Sequence, residues 1–223
     1  MKKYAIPSFL FFLSLIMLAG CGPMLESELG QCDTAISSAG YLLSSDCRPL
    51  SWGRHLPVEL SYGTSMNDDE RKAFDDAINI WNGVLGPVFY VVNRYLPDPI
   101  GSENDPTTHI IGKRSGANWT QCDQSVMICG GTDEPAKTIY HYSEFLVDAD
   151  IMLNQGFSFS IQQDPTKYDL RSIALHELGH VLGLDHDDTT TPQISIMNRS
   201  ISEGIQRGLS ARDIQRIQTL YGF

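Results

Sequence analysis

Leu175-His176-Glu177-Leu178-Gly179-His180-Val181-Leu182-Gly183-Leu184-Asp185-His186 is the stretch that decides the fold, and half of the chain's six histidines fall inside it. At about 100° per residue in a helix, His176 and His180 lie about 40° apart on one face, so two imidazoles reach one ion from successive turns. Glu177 projects about 60° from His180, too far round to be a natural third ligand but within reach of a water at that ion. Gly183 accepts the left-handed backbone that ends a helix, so the chain can turn and return His186 from another direction. Three neutral imidazoles with an open fourth position make the donor set of a catalytic zinc site, whereas structural sites are usually closed by four protein ligands. Water on such an ion has a pKa of about 7, which supplies a nucleophile at neutral pH. A bare His-Glu-x-x-His occurs by chance in helices; the extension through Gly183 to His186 weighs against accident.

Composition sets the frame around that stretch. With 223 residues and 42% hydrophobic content, the chain is long enough for one well-buried domain plus extra segments. Charged residues make up 19%, which is not a disordered composition. The net charge of −11 and the lack of a basic patch argue against nucleic-acid binding. An acidic surface of this kind suits a soluble exported domain.

Met1-Lys2-Lys3 followed by the apolar run from Ala5 to Leu18 reads as a signal peptide, too short for a membrane-spanning helix. Leu18-Ala19-Gly20-Cys21 resembles the bacterial lipoprotein processing box, in which the leader is cut before the cysteine and the cysteine is acylated. The alternative is an ordinary secretory cleavage with Cys21 as a spare thiol. The expected organisation is a lipoprotein signal peptide over 1–20, a lipidated tether over 21–50 and the domain that carries the histidine motif over 51–223. The expected location is a bacterial cell envelope, lipid-anchored and facing periplasm or exterior. Cys32, Cys47, Cys122 and Cys129 then remain, an even number in an oxidising compartment. Three connectivities are open; the sequence-local pairs Cys32–Cys47 and Cys122–Cys129 are favoured, the alternative being a thiol, Cys47 for example, that covers the metal.

Along the chain, residues 57–62 alternate as a strand. Asn67 followed by Asp68, Asp69 and Glu70 reads as a helix N-cap and acidic first turn, with Phe74, Ala77, Ile78, Trp81 and Leu85 forming a buried stripe. Residues 88–92 read as a buried strand, and 109–112, 138–142 and 147–153 as further strands. Asp148 and Asp150 alternate on one strand face and are a candidate calcium pair, although solvent-facing or hydrogen-bonded carboxylates are the commoner outcome. His109 and His141 lack ligand spacing and receive no role. Ser210-Ala211-Arg212-Asp213 resembles a capping box, with Ile214, Ile217, Leu220 and Tyr221 at helical spacing behind it.

His176 to His186, the following Ser195-Ile196-Met197, and the ending from Leu209 to Gly222 together resemble the metzincin metallopeptidases, most closely a bacterial matrixin-type domain. The strand Asp148-Ala149-Asp150-Ile151 is similar to one in that family's sheet. The resemblance covers about 51–223, with its strong motifs in the last third. It implies an α+β, zincin-like fold: a twisted mixed sheet packed on two long helices, with a C-terminal helix after a Met-turn. It also implies that His176, His180 and His186 hold one zinc, that Glu177 polarises the water, and that Met197 forms an apolar floor under the metal, ordinary core being the blander role for that residue. Asp187 stands where matrixins commonly carry Ser or Thr and adamalysins carry Asp. Asn198 and Arg199 replace the usual Tyr-Pro or His-Tyr, so the tyrosine of those pairs is missing. No cysteine-switch segment is recognisable.

The expected activity is a zinc-dependent endopeptidase acting on protein or peptide substrates that lie along an edge strand of the sheet. The rival from another class is a catalytically silent, zinc-containing binding lipoprotein; the intact Glu177 speaks against it, because a structural site has no need of that carboxylate. A zinc hydrolase of non-peptide bonds is a third possibility.

Overall fold

The computed structural model describes residues 32, 39–99, 105, 107–114, 119, 134–189 and 194–222. The signal peptide, Cys21, Cys122 and Cys129 lie outside the described residues. The elements run β1 (Val58–Gly63), α1 (Asp68–Leu85), β2 (Phe89–Leu96), β3 (His109–Arg114), β4 (Ala136–Tyr142), β5 (Leu146–Asn154), β6 (Phe159–Ser160), β7 (Tyr168–Asp169), α2 (Leu170–Val181) and α3 (Ala211–Tyr221).

The expected α+β arrangement is present. A mixed sheet in the order β2-β1-β3-β5-β4 is parallel throughout except at β4, which pairs antiparallel with β5. β6 and β7, too short to leave a period in the sequence, form a separate pair just ahead of α2. Asn67 caps α1 through a full capping box with Glu70, and Ala73, Phe74, Ala77, Ile78, Trp81 and Leu85 bury one face of it. That face packs against α2, and the two helices are cross-linked where Trp81 Nε1 donates to Leu175 O at 3.1 Å. At the C-terminal end of α2, Trp52 Nε1 donates to Val181 O at 2.7 Å. Both tryptophans are almost fully buried, so each bond is shielded from water and fixes the motif helix.

Two expectations are corrected. Residues 88–92 read as a buried strand, but β2 is buried only at its start and Val92 is 52% exposed. Among the described residues β2 is an edge strand bonded to β1 alone, so its apolar residues do not mark a core position. Residues 39–50, placed within the tether by their Ser and Gly content, pack on the domain. Tyr41 bridges Leu184, Leu43 bridges Pro49, and Leu42 and Leu50 are 7% and 1% exposed. The apolar run there is too short to show a period, yet it covers the end of α2. A disulfide joins Cys32 to Cys47, so Cys47 has no thiol to offer a metal.

Candidate metal centre

α2 is capped by Asp169, whose carboxylate accepts from Ser172 N at 2.8 Å, and it ends at Leu182. Gly183 follows with φ +99°, and a Cβ there would lie 2.2 Å from Leu50 O. Glycine is therefore required twice over at this exit, by its backbone angle and by the close carbonyl. Beyond it, Asp185 and Asp187 flank His186, and Asp187 N donates to Met197 O at 2.8 Å.

The structure brings His176, His180 and His186 together, with one ligand atom from each lying within 4.8 Å of the others. Among the described residues, they are the one group of three or more His, Cys, Asp or Glu side chains placed to hold a metal ion. His176 Nδ1 faces Ile196 O at 2.8 Å, and His180 Nδ1 faces Leu184 O at 2.8 Å. Each carbonyl fixes the proton on Nδ1, so both Nε2 atoms present lone pairs, and these face each other at 3.1 Å. Two acceptors at that separation call for a cation between them. Burial, reinforced by neighbouring charge, pushes all three imidazoles down to about 3, so the triad is neutral at physiological pH. A neutral three-imidazole set with an open side fits zinc.

Glu177 opens onto the same cleft, a cavity of about 940 Å³. Thr138 of β4 donates to Glu177 Oε2 at 2.7 Å and reaches Glu177 O at 3.1 Å. Burial pushes the Glu177 carboxyl up to about 7, while the Thr138 hydroxyl pulls the other way. A divalent cation in the site would draw it back towards the ordinary carboxylate range.

The turn after the motif passes beneath the histidines. Met197 is fully buried, and its Sδ lies 2.4 Å from where a Cβ of Gly179 would be. Asp213 of α3 holds this turn: its carboxylate accepts from Ser195 Oγ and from Ile196 N, the latter at 2.9 Å. The same carboxylate closes the capping box with Ser210.

The Matrixin family profile matches residues 109–222, just over half of the chain. The chain belongs to the matrixin family. Matrixins are zinc-dependent, in keeping with the triad. The chain is similar to Metalloendoproteinase 4-MMP of Arabidopsis thaliana, 24% identical over 185 residues, covering 77% of this chain and 48% of that protein. It is also similar to Matrix metalloproteinase-C of Caenorhabditis elegans, 23% identical over 227 residues, covering 99% of this chain and 37% of that protein. Metalloendoproteinase 5-MMP of Arabidopsis thaliana is 40% identical over 77 residues, 34% of this chain and 21% of that protein. The chain thus spans about half or less of the length of these relatives.

Within this matrixin, several functional contacts escape sequence reading. Thr138 reaches Glu177 from a separate element, 39 residues away, and no local signal marks it. The tyrosine missing after Met197 is not the only one available, since Tyr140 of β4 and Tyr168 of β7 both line the cleft. Asp187 is turned away from the triad and pairs with Arg212 and Arg216 of α3. Asp148 and Asp150 are buried rather than solvent-facing. Asp148 bonds His109 Nδ1 at 3.1 Å and accepts from Asp105 N, and Asp150 accepts from Ile110 N at 2.7 Å. This matrixin uses the pair to lace β5 to β3, the hydrogen-bonded role. His141 lies apart from the triad.

Proposed function

We propose that this chain is a zinc-dependent endopeptidase of protein or peptide substrates. The observation that carries the reading is the convergence of three neutral imidazoles beside a carboxylate that a hydroxyl from the edge strand holds in place. His176, His180 and His186 would hold the ion, which when bound supplies Lewis acidity to the scissile carbonyl and acidity to a water. β4 is the outer strand of the sheet and lines the cleft through Ala136, Lys137, Thr138 and Tyr140, so an extended peptide can add its main chain along that edge. Glu177 takes a proton from the attacking water and passes it to the leaving amine. Thr138 keeps Oε2 directed during both transfers, and Met197 keeps the floor beneath the imidazoles dry.

The test is turnover of casein and a peptide library by the purified chain, beside Glu177→Ala and a chelator. Loss of a general base lowers kcat by roughly 10²- to 10⁴-fold. Equal turnover in wild type and Glu177→Ala would remove the mechanism.

The same proposal places the enzyme on a bacterial cell envelope through acylated Cys21. Its support is the charged start, the apolar run and the Leu18-Ala19-Gly20-Cys21 box. Among the described residues no helix is long and apolar enough to cross a membrane. Radiolabelled palmitate should enter the wild-type chain and not Cys21→Ser; equal labelling would sink the anchor.

A further inference from the structure

The short loop that carries His186 is gripped from two sides. On one side Asp187 N is bonded to Met197 O. On the other, residues 40–42 lie antiparallel to the chain leaving α2: Leu42 N donates to Gly183 O at 2.9 Å, and Asp185 N donates to Gly40 O at 2.9 Å. The Arg216 side chain of α3, only 6% exposed, sits where these segments meet. Its Nη2 donates to Asp185 O at 2.8 Å, and its Nη1 approaches Asp187 Oδ2 to 3.5 Å. Its guanidinium lies over the Tyr41 ring at 5.9 Å, while Tyr41 OH donates to Arg216 O at 3.1 Å. A Cβ on Gly40 would fall 2.3 Å from Arg216 Nη2, so the strap is shaped around the guanidinium.

This is a poor device for stability alone. Among the described residues Arg216 Nε and Nη1 are buried without hydrogen bonds, and Asp187 already has Arg212 as a partner. Burying an incompletely bonded cation is unfavourable, so an apolar side chain would serve packing better. What Arg216 does provide is a fixed position for the carbonyl of Asp185 and the carboxylate of Asp187, the residues on either side of the third histidine.

We propose that Arg216, acting with the strap Gly40–Leu42, is a positioning residue for His186 that governs how tightly the metal is retained. The inference rests on the zinc reading above and deepens it. Arg216 touches neither the imidazoles' ligand atoms nor substrate; it acts through the loop.

The experiment measures zinc release from the purified chain into a chromophoric chelator, together with the visible absorption of the cobalt(II)-substituted protein. Thermal unfolding of the metal-free form is followed in parallel. Arg216→Ala should release zinc at least tenfold faster and change the cobalt spectrum, while its metal-free form still unfolds cooperatively. Arg216→Lys keeps the charge and a donor towards Asp185 O, and should fall between. If Arg216→Ala does not fold, Arg216→Lys and Tyr41→Phe, which loses only the hydroxyl bond to Arg216 O, are read instead. Unchanged zinc release and an unchanged cobalt spectrum in the variants, with or without a lowered unfolding temperature, would overturn the proposal. A wild-type chain that takes up neither metal would instead remove the zinc reading, and this inference with it.

Discussion

Replacing Gly179 by alanine probes the contact between the motif helix and the turn beneath it. An exposed Gly→Ala change inside a helix ordinarily stabilises by about 1 kcal/mol. Here the added methyl would meet Met197 Sδ at 2.4 Å and Met197 Cε at 3.2 Å, with Trp81 Cζ2 at 3.5 Å. Ordinary contact is roughly 3.5–4.0 Å, so Met197 must retreat by more than about 1 Å in a region without exposure. Overpacking of this kind costs about 1–3 kcal/mol, which cancels or exceeds the helix gain and leaves a net loss of roughly 0–2 kcal/mol. Met197 adjoins Ile196, whose carbonyl orients His176, so a displacement passed on to the turn should also loosen the hold on zinc. Urea unfolding of the metal-free chain gives the first quantity and zinc release to a chelator gives the second. In a Met197→Ala background the clash is gone, so the same Gly179→Ala change should regain its stabilising sign, a coupling that a double-mutant cycle reads directly. Should Gly179→Ala alone stabilise by the full helix increment and hold zinc as the wild type does, the reasoning about this contact is wrong.

Three further outcomes follow from the site. Thr138→Val deletes a hydrogen bond to a carboxylate, worth about 1.5–3 kcal/mol, so kcat/KM should drop by roughly 10- to 150-fold and the Glu177 limb of the pH–rate profile should move up; an unmoved profile would count against Thr138. Asp213→Ala removes the acceptor for Ser195 Oγ, Ile196 N and Ser210, and should destabilise by about 3–4 kcal/mol in chemical unfolding, whereas a loss below 1 kcal/mol would mean the turn is held otherwise. The metal-free chain should weaken on acidification. Each imidazole is lowered to about 3 from 6.5, so its contribution is present above pH 6.5 and lost as the pH falls. Glu177, raised to about 7 from 4.5, contributes the opposite sign, present at low pH and lost as the pH rises through about 7. Between pH 4.5 and 6.5 the unfolded chain therefore binds about two more protons net, and stability should fall by at most about 2–3 kcal/mol per pH unit of acidification. Stability that rises on acidification across that window would refute the assignment.

What the sequence exposes and what it hides divide along the range of the interaction. His176, Glu177 and His180 are legible because a helix converts spacing directly into direction, and Gly183 announces the exit that returns His186. Asn67 with Glu70, and Ser210 with Asp213, are legible because a cap is complete within four residues. Thr138, Arg216 and the strap at 40–42 are not, because each acts across a large separation: 39 residues from Thr138 to Glu177, and 175 from Tyr41 to Arg216. No periodicity records such a pairing. Asp213 lies between the two cases. Its local signal is true, and it also conceals the second role, since a carboxylate explained by a cap gives no reason to look for the Met-turn groups 17 and 18 residues earlier that share it. The same holds for Asp187: next to a ligand histidine it invites a subfamily comparison, yet its buried carboxylate answers to two arginines of α3. The Asp187 carboxylate turns towards α3, and the Asp213 carboxylate reaches from α3 to the turn beneath the histidines. The turn beneath the triad and the loop that carries His186 are therefore held by α3 and the strap as well as by the motif helix.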